Sequence, residues 1–161
     1  MLGVSLLCLA LLWSGVIFGL RKQQNDLQNE LAMAIDKGHS ARARELLANG
    51  VDPKKMHDPT SGLICAVIYC DPATVQAIIS KGISVNGKID SGFTPLHYAI
   101  IHRRSDMVEV LLKNGADASI KKADGDTALA AMAKPAHRFA RHDNNQKIIH
   151  LLQEAEMKSR K

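Results

Sequence analysis

The chain has 161 residues, of which 46% are hydrophobic and 23% are charged, and its formal net charge is +5. This composition excludes a disordered chain and suits one small domain or a short array of repeats. Only 4% of the residues are aromatic, too few for the base-stacking surfaces of single-strand nucleic-acid binders, so no nucleic-acid partner is expected. Three cysteines without metal-type spacing predict reduced, packed thiols rather than a disulfide framework.

An uncharged apolar segment begins the chain and extends from Leu2 to Leu20. As a helix it would be about 28 Å long, close to the thickness of a bilayer's hydrocarbon core. A cleaved secretory signal is the alternative, but the segment has no basic residue before it, exceeds the usual signal core and offers a poor cleavage pattern. The sequence therefore predicts a transmembrane anchor at residues 1–22.

Arg21 and Lys22 directly follow the apolar segment, whereas only the α-amino group precedes it. The positive-inside tendency then predicts a single-pass protein of the cell membrane whose C-terminal part lies in the cytoplasm. Two charges leave the opposite orientation open, with the C-terminal part in the periplasm or outside the cell. Good helix formers at residues 23–30 predict a helical stalk.

The rest of the chain is repetitive. Leucines recur at intervals of 32, 33 and 33 residues, and Gly50, Gly82 and Gly115 end three of the units. Within each unit the apolar positions form two short blocks at helical spacing, separated by a polar turn. Each unit is therefore predicted to be a helix pair that buries its apolar faces only by stacking on its neighbours. The recurring leucines are Leu31, Leu63, Leu96 and Leu129.

The third unit begins with Thr94-Pro95-Leu96-His97-Tyr98-Ala99. Thr94 is placed to cap a helix through its hydroxyl, and Pro95 suits the first helical turn. This stretch and the 33-residue period resemble the ankyrin repeat, whose signature is T-P-L-H-x-A. The whole chain resembles a small, membrane-anchored ankyrin repeat protein of bacterial type.

The resemblance extends from Leu31 to about Gln153. It implies an all-α fold, an ankyrin-repeat solenoid of about four helix-turn-helix units with finger loops, preceded by the transmembrane helix. The predicted ankyrin domain covers residues 31–153, with units at about 30–59, 60–92, 93–125 and 126–153, and a polar tail follows at 154–161.

The fourth unit departs from the repeat, because its second apolar pair arrives seven residues late. The extra residues lie within 134–145. Insertions in repeat proteins form loops on one face, and loops commonly carry function. We hypothesise that this insertion contacts a partner or anionic lipid headgroups. Its candidate residues are His137, Arg138, Phe139, Arg141 and His142.

The sequence offers little catalytic chemistry. The resemblance implies a structural role for His97, and His137 with His142 lack a third convergent metal ligand. Nucleophile-elbow, phosphate-loop, zinc-protease and dinucleotide motifs are missing from the sequence. We therefore expect no enzyme, no catalytic residue, no metal, no cofactor and no small-molecule substrate.

The resemblance also implies a concave surface, formed by the inner helices, along which partner proteins bind. We call this surface the palm. Tyr69 and His102 are its strongest candidates for partner contacts, because tyrosine is enriched at binding hot spots. Packing against neighbouring fingers is the alternative role for Tyr69 and Tyr98. By position, the palm comprises the rows Met33, Cys65, Tyr98 and Ala131; Asp36, Ile68, Ile101 and Lys134; and Lys37, Tyr69, His102 and Pro135.

Lysines recur in the finger-like loops, notably Lys121 and Lys122 in the third. Together with Lys37 they predict an acidic partner surface that is steered electrostatically. Solvated lysines that keep the loops soluble are the alternative. The other loop lysines are Lys54, Lys55 and Lys88.

The combined features predict a membrane-tethered, non-catalytic module that binds a partner protein through the palm. An alternative is an immunity or protective protein that binds and neutralises a toxin or enzyme at the membrane or in the periplasm. The third candidate, an enzyme acting through His102 or the insertion histidines, would require a pocket with convergent polar groups.

Overall fold

The computed structural model describes the backbone of residues 3–128, 130 and 143–159. Within these ranges, side chains are described from residue 19 onward except at 143–145, 156, 158 and 159. The described part is helical, with an isolated bridge between Lys121 and Thr127 as its β-structure, which confirms the all-α prediction. The helices are α1 (Gly3–Asp36), α2 (Ser40–Ala48), a 3₁₀-helix (Pro53–Lys55), α3 (Pro59–Tyr69), α4 (Pro72–Ser80), α5 (Pro95–Ile101), α6 (Ser105–Lys113) and α7 (Asp143–Ser159).

Aspartates and prolines set the first residues of two helices. Asp58 Oδ1 accepts the backbone N–H of Thr60 at 2.9 Å and of Ser61 at 3.1 Å, and Pro59 occupies the first turn of α3. Asp71 accepts the Thr74 N–H at 2.8 Å at the start of α4 in the same way. These carboxylates satisfy backbone donors that a helix start otherwise leaves unpaired.

The helices form antiparallel pairs that stack side by side. The inner helices α1, α3 and α5 pack in one layer, and the outer helices α2, α4, α6 and α7 pack in another. Leu31, Leu63 and Leu96 are buried at equivalent places in the inner layer, and Leu46, Ile78 and Leu111 are buried in the outer layer. The core is therefore one continuous layer of apolar side chains between the inner and the outer helices.

The first inner helix, α1, is much longer than its counterparts and continues from Gly3 to Asp36 without interruption. Among the residues whose side chains are described, no helix is long and apolar enough to cross a membrane. The predicted anchor at 1–22 lies mostly outside those residues, which begin at residue 19 in this helix. The segment predicted as a stalk, 23–30, is helical and continuous with the first repeat.

Glycines end the outer helices. Gly50, Gly82 and Gly115 follow α2, α4 and α6 with φ between 85° and 89°, the left-handed conformation in which glycine avoids the Cβ clash. The chain then enters three loops that we call the first finger (51–58), the second finger (83–93) and the third finger (116–127).

The second and third fingers touch closely. The Ala123 N–H donates to the Ser91 carbonyl at 3.1 Å, and a Cβ on Gly92 would lie 2.8 Å from the Ala123 nitrogen. Any side chain at Gly92 would therefore force the two fingers apart.

The fourth unit is described in part. Ala128 and Ala130 are helical, and α7 packs on α6 with Ile148 and Leu152 fully buried. The insertion hypothesis and its residues His137 to His142, like the palm positions Ala131, Lys134 and Pro135, lie outside the described residues.

Candidate functional site: the palm and fingers

The described palm combines exposed apolar side chains with a few polar groups. Met33 is 54% exposed and Tyr69 is 57% exposed, and Ile101 is also exposed. Cys65 and Ile68 are half-buried between them, and Asp36, Lys37 and His102 are exposed at their edge. The structure therefore places these side chains of α1, α3 and α5 on the inner layer, at the positions that the resemblance implied for the palm.

Tyr69 is held at the end of α3 by contacts from both neighbouring units. A Cβ on Gly38, whose φ is +68°, would lie 2.7 Å from the Tyr69 carbonyl oxygen, so the turn after α1 packs directly on it. From the other side, Arg104 Nη1 donates to the carbonyls of Ile68 at 3.2 Å and of Cys70 at 2.7 Å. The phenol ring thus projects from a fixed backbone.

Tyr98 has a different environment from Tyr69. Its ring lies 5.6 Å from the Phe93 ring of the second finger and 6.4 Å from the His102 ring, the latter nearly parallel at 16°. Tyr98 is half-buried in this row, which matches the packing role considered for it. His102 remains exposed at the end of the row.

Cys65 does not provide a nucleophile. Burial, together with the neighbouring Asp36 carboxylate, raises the pKa of its thiol to about 11. The thiol is therefore protonated at neutral pH, whereas reactive cysteines have lowered pKa values. Cys65 acts as a small apolar element of the palm.

The finger lysines fall into two groups. Lys54, Lys55, Lys88 and Lys121 are exposed. Lys122, in contrast, has a side chain only 14% exposed; it forms ion pairs with Asp124 and Asp126 and lies 5.5 Å from the centre of the Phe93 ring. Lys122, predicted as a partner contact with a solvated lysine as the alternative, is thus paired within its own finger, and it stabilises the contact between fingers.

Metal-type clusters are not found among the described residues, where no group of three or more histidine, cysteine or acidic side chains converges. His137 and His142 lie outside those residues. Among the grooves found there, one lies between α1, α3 and the first finger, and its lining includes Asp36, His57 and Cys65. The exposed, shallow character of these surfaces suits a protein segment better than a small substrate.

Arg104 is the positioning residue that sequence reasoning missed. It carries no repeat-specific signature, and its partners are backbone carbonyls of the preceding unit. The sequence did show a cation directly after the turn between two predicted helices. Which groups this cation would contact could not be predicted from the sequence, because that depends on how the units stack.

The family comparison agrees with this geometry. Residues 31–122 match the family described as Ankyrin repeats (3 copies). Since this match covers more than half of the 161 residues, the chain belongs to the ankyrin repeat family.

Curated relatives share the repeats within much longer proteins. The chain is 43% identical over 74 residues to the 2-5A-dependent ribonuclease of Homo sapiens, covering 44% of this chain and 10% of that protein. It is 34% identical over 74 residues to the BTB/POZ domain and ankyrin repeat-containing protein NPR1 of Malus hupehensis, covering 45% and 13%. It is 36% identical over 56 residues to the Ankyrin repeat-containing protein P1E11.10 of Schizosaccharomyces pombe, covering 35% and 27%. The chain thus matches about a quarter or less of each relative's length.

Proposed function

We propose that this protein is a membrane-tethered, non-catalytic interaction module whose palm binds a partner protein. The observation that carries the proposal is the exposed apolar surface formed by Met33, Tyr69 and Ile101 on rigid inner helices. Large apolar side chains that remain exposed on adjacent helices favour an interaction site, because leaving them in water is unfavourable.

Tyr69 is the proposed anchor of this interface. Its ring is more than half exposed while its backbone is fixed by Gly38 and Arg104. A rigid, amphipathic side chain loses little conformational entropy on binding, which is why tyrosine is common at hot spots. His102, exposed beside Tyr98, extends the same surface with a polar group.

An acidic partner surface is part of the proposal. Its support is now Lys37 on the palm, because Lys122 is paired within the third finger and the exposed finger lysines, such as Lys121, are matched in number by exposed aspartates. Charges at the rim of an interface mainly accelerate association. The insertion residues 137–142 remain a proposed additional contact.

Tethering to the cell membrane is proposed from the uncharged segment Leu2–Leu20 and from the continuity of α1 into the first repeat. Arg21 and Lys22 favour a cytoplasmic position for the palm.

The test is chemical cross-linking in intact membranes followed by purification of the full-length chain. The palm variant Tyr69→Ala with His102→Ala is compared with wild type and with a matched control. The control, Ser80→Ala with Gln146→Ala, changes exposed positions of the outer helices α4 and α7.

We expect one specific partner to be cross-linked to wild type and to the control, and at least tenfold less to the palm variant, about 1.4 kcal/mol or more of binding free energy. Equal recovery of that partner with both variants would contradict the palm as the binding surface. A captured toxin or enzyme would assign the protective role.

A further inference from the structure

The inner helices all point the same way. Helices α3 and α5 each begin directly after a finger, at Pro59 and Pro95. Helix α3 packs side by side with α1 on one flank and with α5 on the other, and the buried leucines Leu31, Leu63 and Leu96 occupy equivalent places. The amino-terminal ends of α3 and α5 therefore lie along one edge of the molecule together with the three fingers, and we call this the finger edge. The opposite edge, formed by the turns within each helix pair, is the turn edge.

Helix α1 extends far beyond the finger edge. It begins at Gly3, whereas its repeat-equivalent helix α3 begins at Pro59, only four residues before Leu63. At 1.5 Å per residue, the additional length of α1 is about 36 Å. Leu20 is 59% exposed, and among the described residues no atom outside the adjoining turns of α1 lies within 4 Å of a Cβ position on Gly19. At Gly19 and Leu20, α1 therefore no longer packs against the repeats.

The first finger lies beside α1 just before this departure. Lys55 and Gln24 line the same shallow groove, together with Leu27. Gln24 is only about 6 Å along the helix axis from Leu20, the last residue of the apolar segment. No proline or glycine occurs between Leu20 and Asp36, so no residue that commonly bends helices separates the two parts.

We propose that the finger edge faces the membrane surface, with the first finger about 6 Å along α1 from the end of the apolar segment, while the turn edge points away from it. The proposal rests on the membrane tether given under Proposed function. Once the apolar segment of α1 crosses the bilayer, the same rigid helix sets the orientation of the stack.

This orientation limits which partner proteins can reach the palm. A gap of about 6 Å is smaller than the diameter of one helix with its side chains, about 10 Å, so it is too narrow for a folded domain to lie between the fingers and the lipid. The palm is then open only sideways, along the membrane surface. The partner segment that it fits is the membrane-proximal part of another membrane protein.

The orientation does not depend on attraction between the fingers and anionic lipid. The exposed lysines of the fingers are matched by as many exposed aspartates. Such a surface has little net attraction for charged headgroups, so the orientation should persist when salt screens charges. The lysines are Lys54, Lys55, Lys88 and Lys121, and the aspartates are Asp58, Asp90, Asp117 and Asp124.

The test uses the full chain in liposomes whose lipids carry a fluorescence quencher on the headgroup. A fluorescent amino acid replaces either Lys88 in the second finger or, as the matched control, His39 at the turn edge; both positions are exposed. Helix α3 has 11 residues, so the two edges differ by about 16 Å in distance from the headgroups.

We expect the probe at position 88 to be quenched severalfold more than the probe at 39, in low salt and in about 0.5 M salt alike. Equal quenching, or a difference that salt removes, would overturn the proposed orientation while leaving the tether intact. Failure of the protein to float with the liposomes would overturn the tether and the orientation together.

A second variant tests the role of the helix. Asn25→Pro with Asp26→Gly interrupts α1 between the apolar segment and the stack, both positions being exposed. We expect this variant to float with the liposomes and to lose the difference between positions 88 and 39. A difference that survives the interruption would overturn α1 as the element that orients the stack.

Discussion

A buried threonine and histidine hold the start of α5. His97 is 3% exposed, and its Nδ1 accepts the Thr94 N–H at 3.3 Å and lies 2.8 Å from the Thr94 hydroxyl oxygen. Burial lowers the pKa of His97, and the positive charges of Lys122 and Lys88 lower it further, although the Asp126 backbone acts in the opposite direction. The ring is therefore neutral in the folded protein at pH 7, with Nδ1 as an acceptor.

This lowered pKa predicts a pH-dependent stability. Above the ordinary histidine pKa of about 6.5 the ring is neutral in both states. As the pH falls below that value, the unfolded chain takes up a proton that the folded state resists, so the free energy of unfolding decreases. We expect His97→Gln, which cannot take up this proton, to show a weaker loss of stability between about pH 7.5 and 5.5 in urea unfolding of the full chain in detergent.

The matched control for this prediction is His57→Gln, at an exposed position of the first finger. It should leave the pH dependence of the wild type unchanged. Identical slopes for wild type and His97→Gln would show that His97 does not carry the effect.

At the scale of the helices, each unit stabilises the ends of its neighbour. The Arg104 guanidinium, at the start of α6, donates to the carbonyls of Val67, Ile68 and Cys70 at the end of α3 and also pairs with Asp106 at 2.8 Å. A helix end leaves its last carbonyls without backbone partners. Arg104 therefore supplies these hydrogen bonds across the boundary between the second and third units.

Removing this contact should be costly. We expect Arg104→Ala to lower the free energy of unfolding by about 1–3 kcal/mol, because partly buried carbonyls lose charge-assisted hydrogen bonds. Arg42→Ala is the control, since its ion pairs with Glu30 and Glu45 are exposed and should contribute less to stability than the contacts of Arg104. Denaturant unfolding of both variants measures the difference, and equal losses would contradict the capping role of Arg104.

At the scale of the whole molecule, each unit is stabilised mainly by packing on the units next to it. Each unit packs mainly on the next one along the chain, as α6 does on α4 and α7. The last helix α7 covers α6 with Ile148 and Leu152, and Lys147 Nζ lies 3.4 Å from Glu109 Oε2. In such a linear array, the loss of one unit destabilises its immediate neighbour most.

This predicts a graded response to truncation. Deleting residues 146–161 should expose the apolar face of α6 and accelerate amide hydrogen exchange in α5 and α6, with little change in α2 and α3. Hydrogen exchange followed by mass spectrometry measures each helix separately. A uniform loss of protection from α2 to α6 would indicate a single cooperative unit instead.

Much of the fold was predictable because the stacking signals are local. The period of Leu31, Leu63 and Leu96 identified the inner layer, and each of these leucines is buried. Gly115, which the sequence places at the end of a unit, follows α6 with a left-handed φ of 85°. The palm positions were implied by the resemblance to ankyrin repeats, and their roles as partner contacts remain predictions.

The amino-acid sequence by itself determined the repeat, the helix pairs and the family, because periodic apolar residues, caps and glycines act within one unit. Only the tertiary structure decided which charges are free and which are structural. Lys122 folds onto Phe93 and two aspartates, and Arg104 reaches the carbonyls of the previous unit. A long cation can reach many partners, and the packing of neighbouring units alone determines which partner is within hydrogen-bond distance.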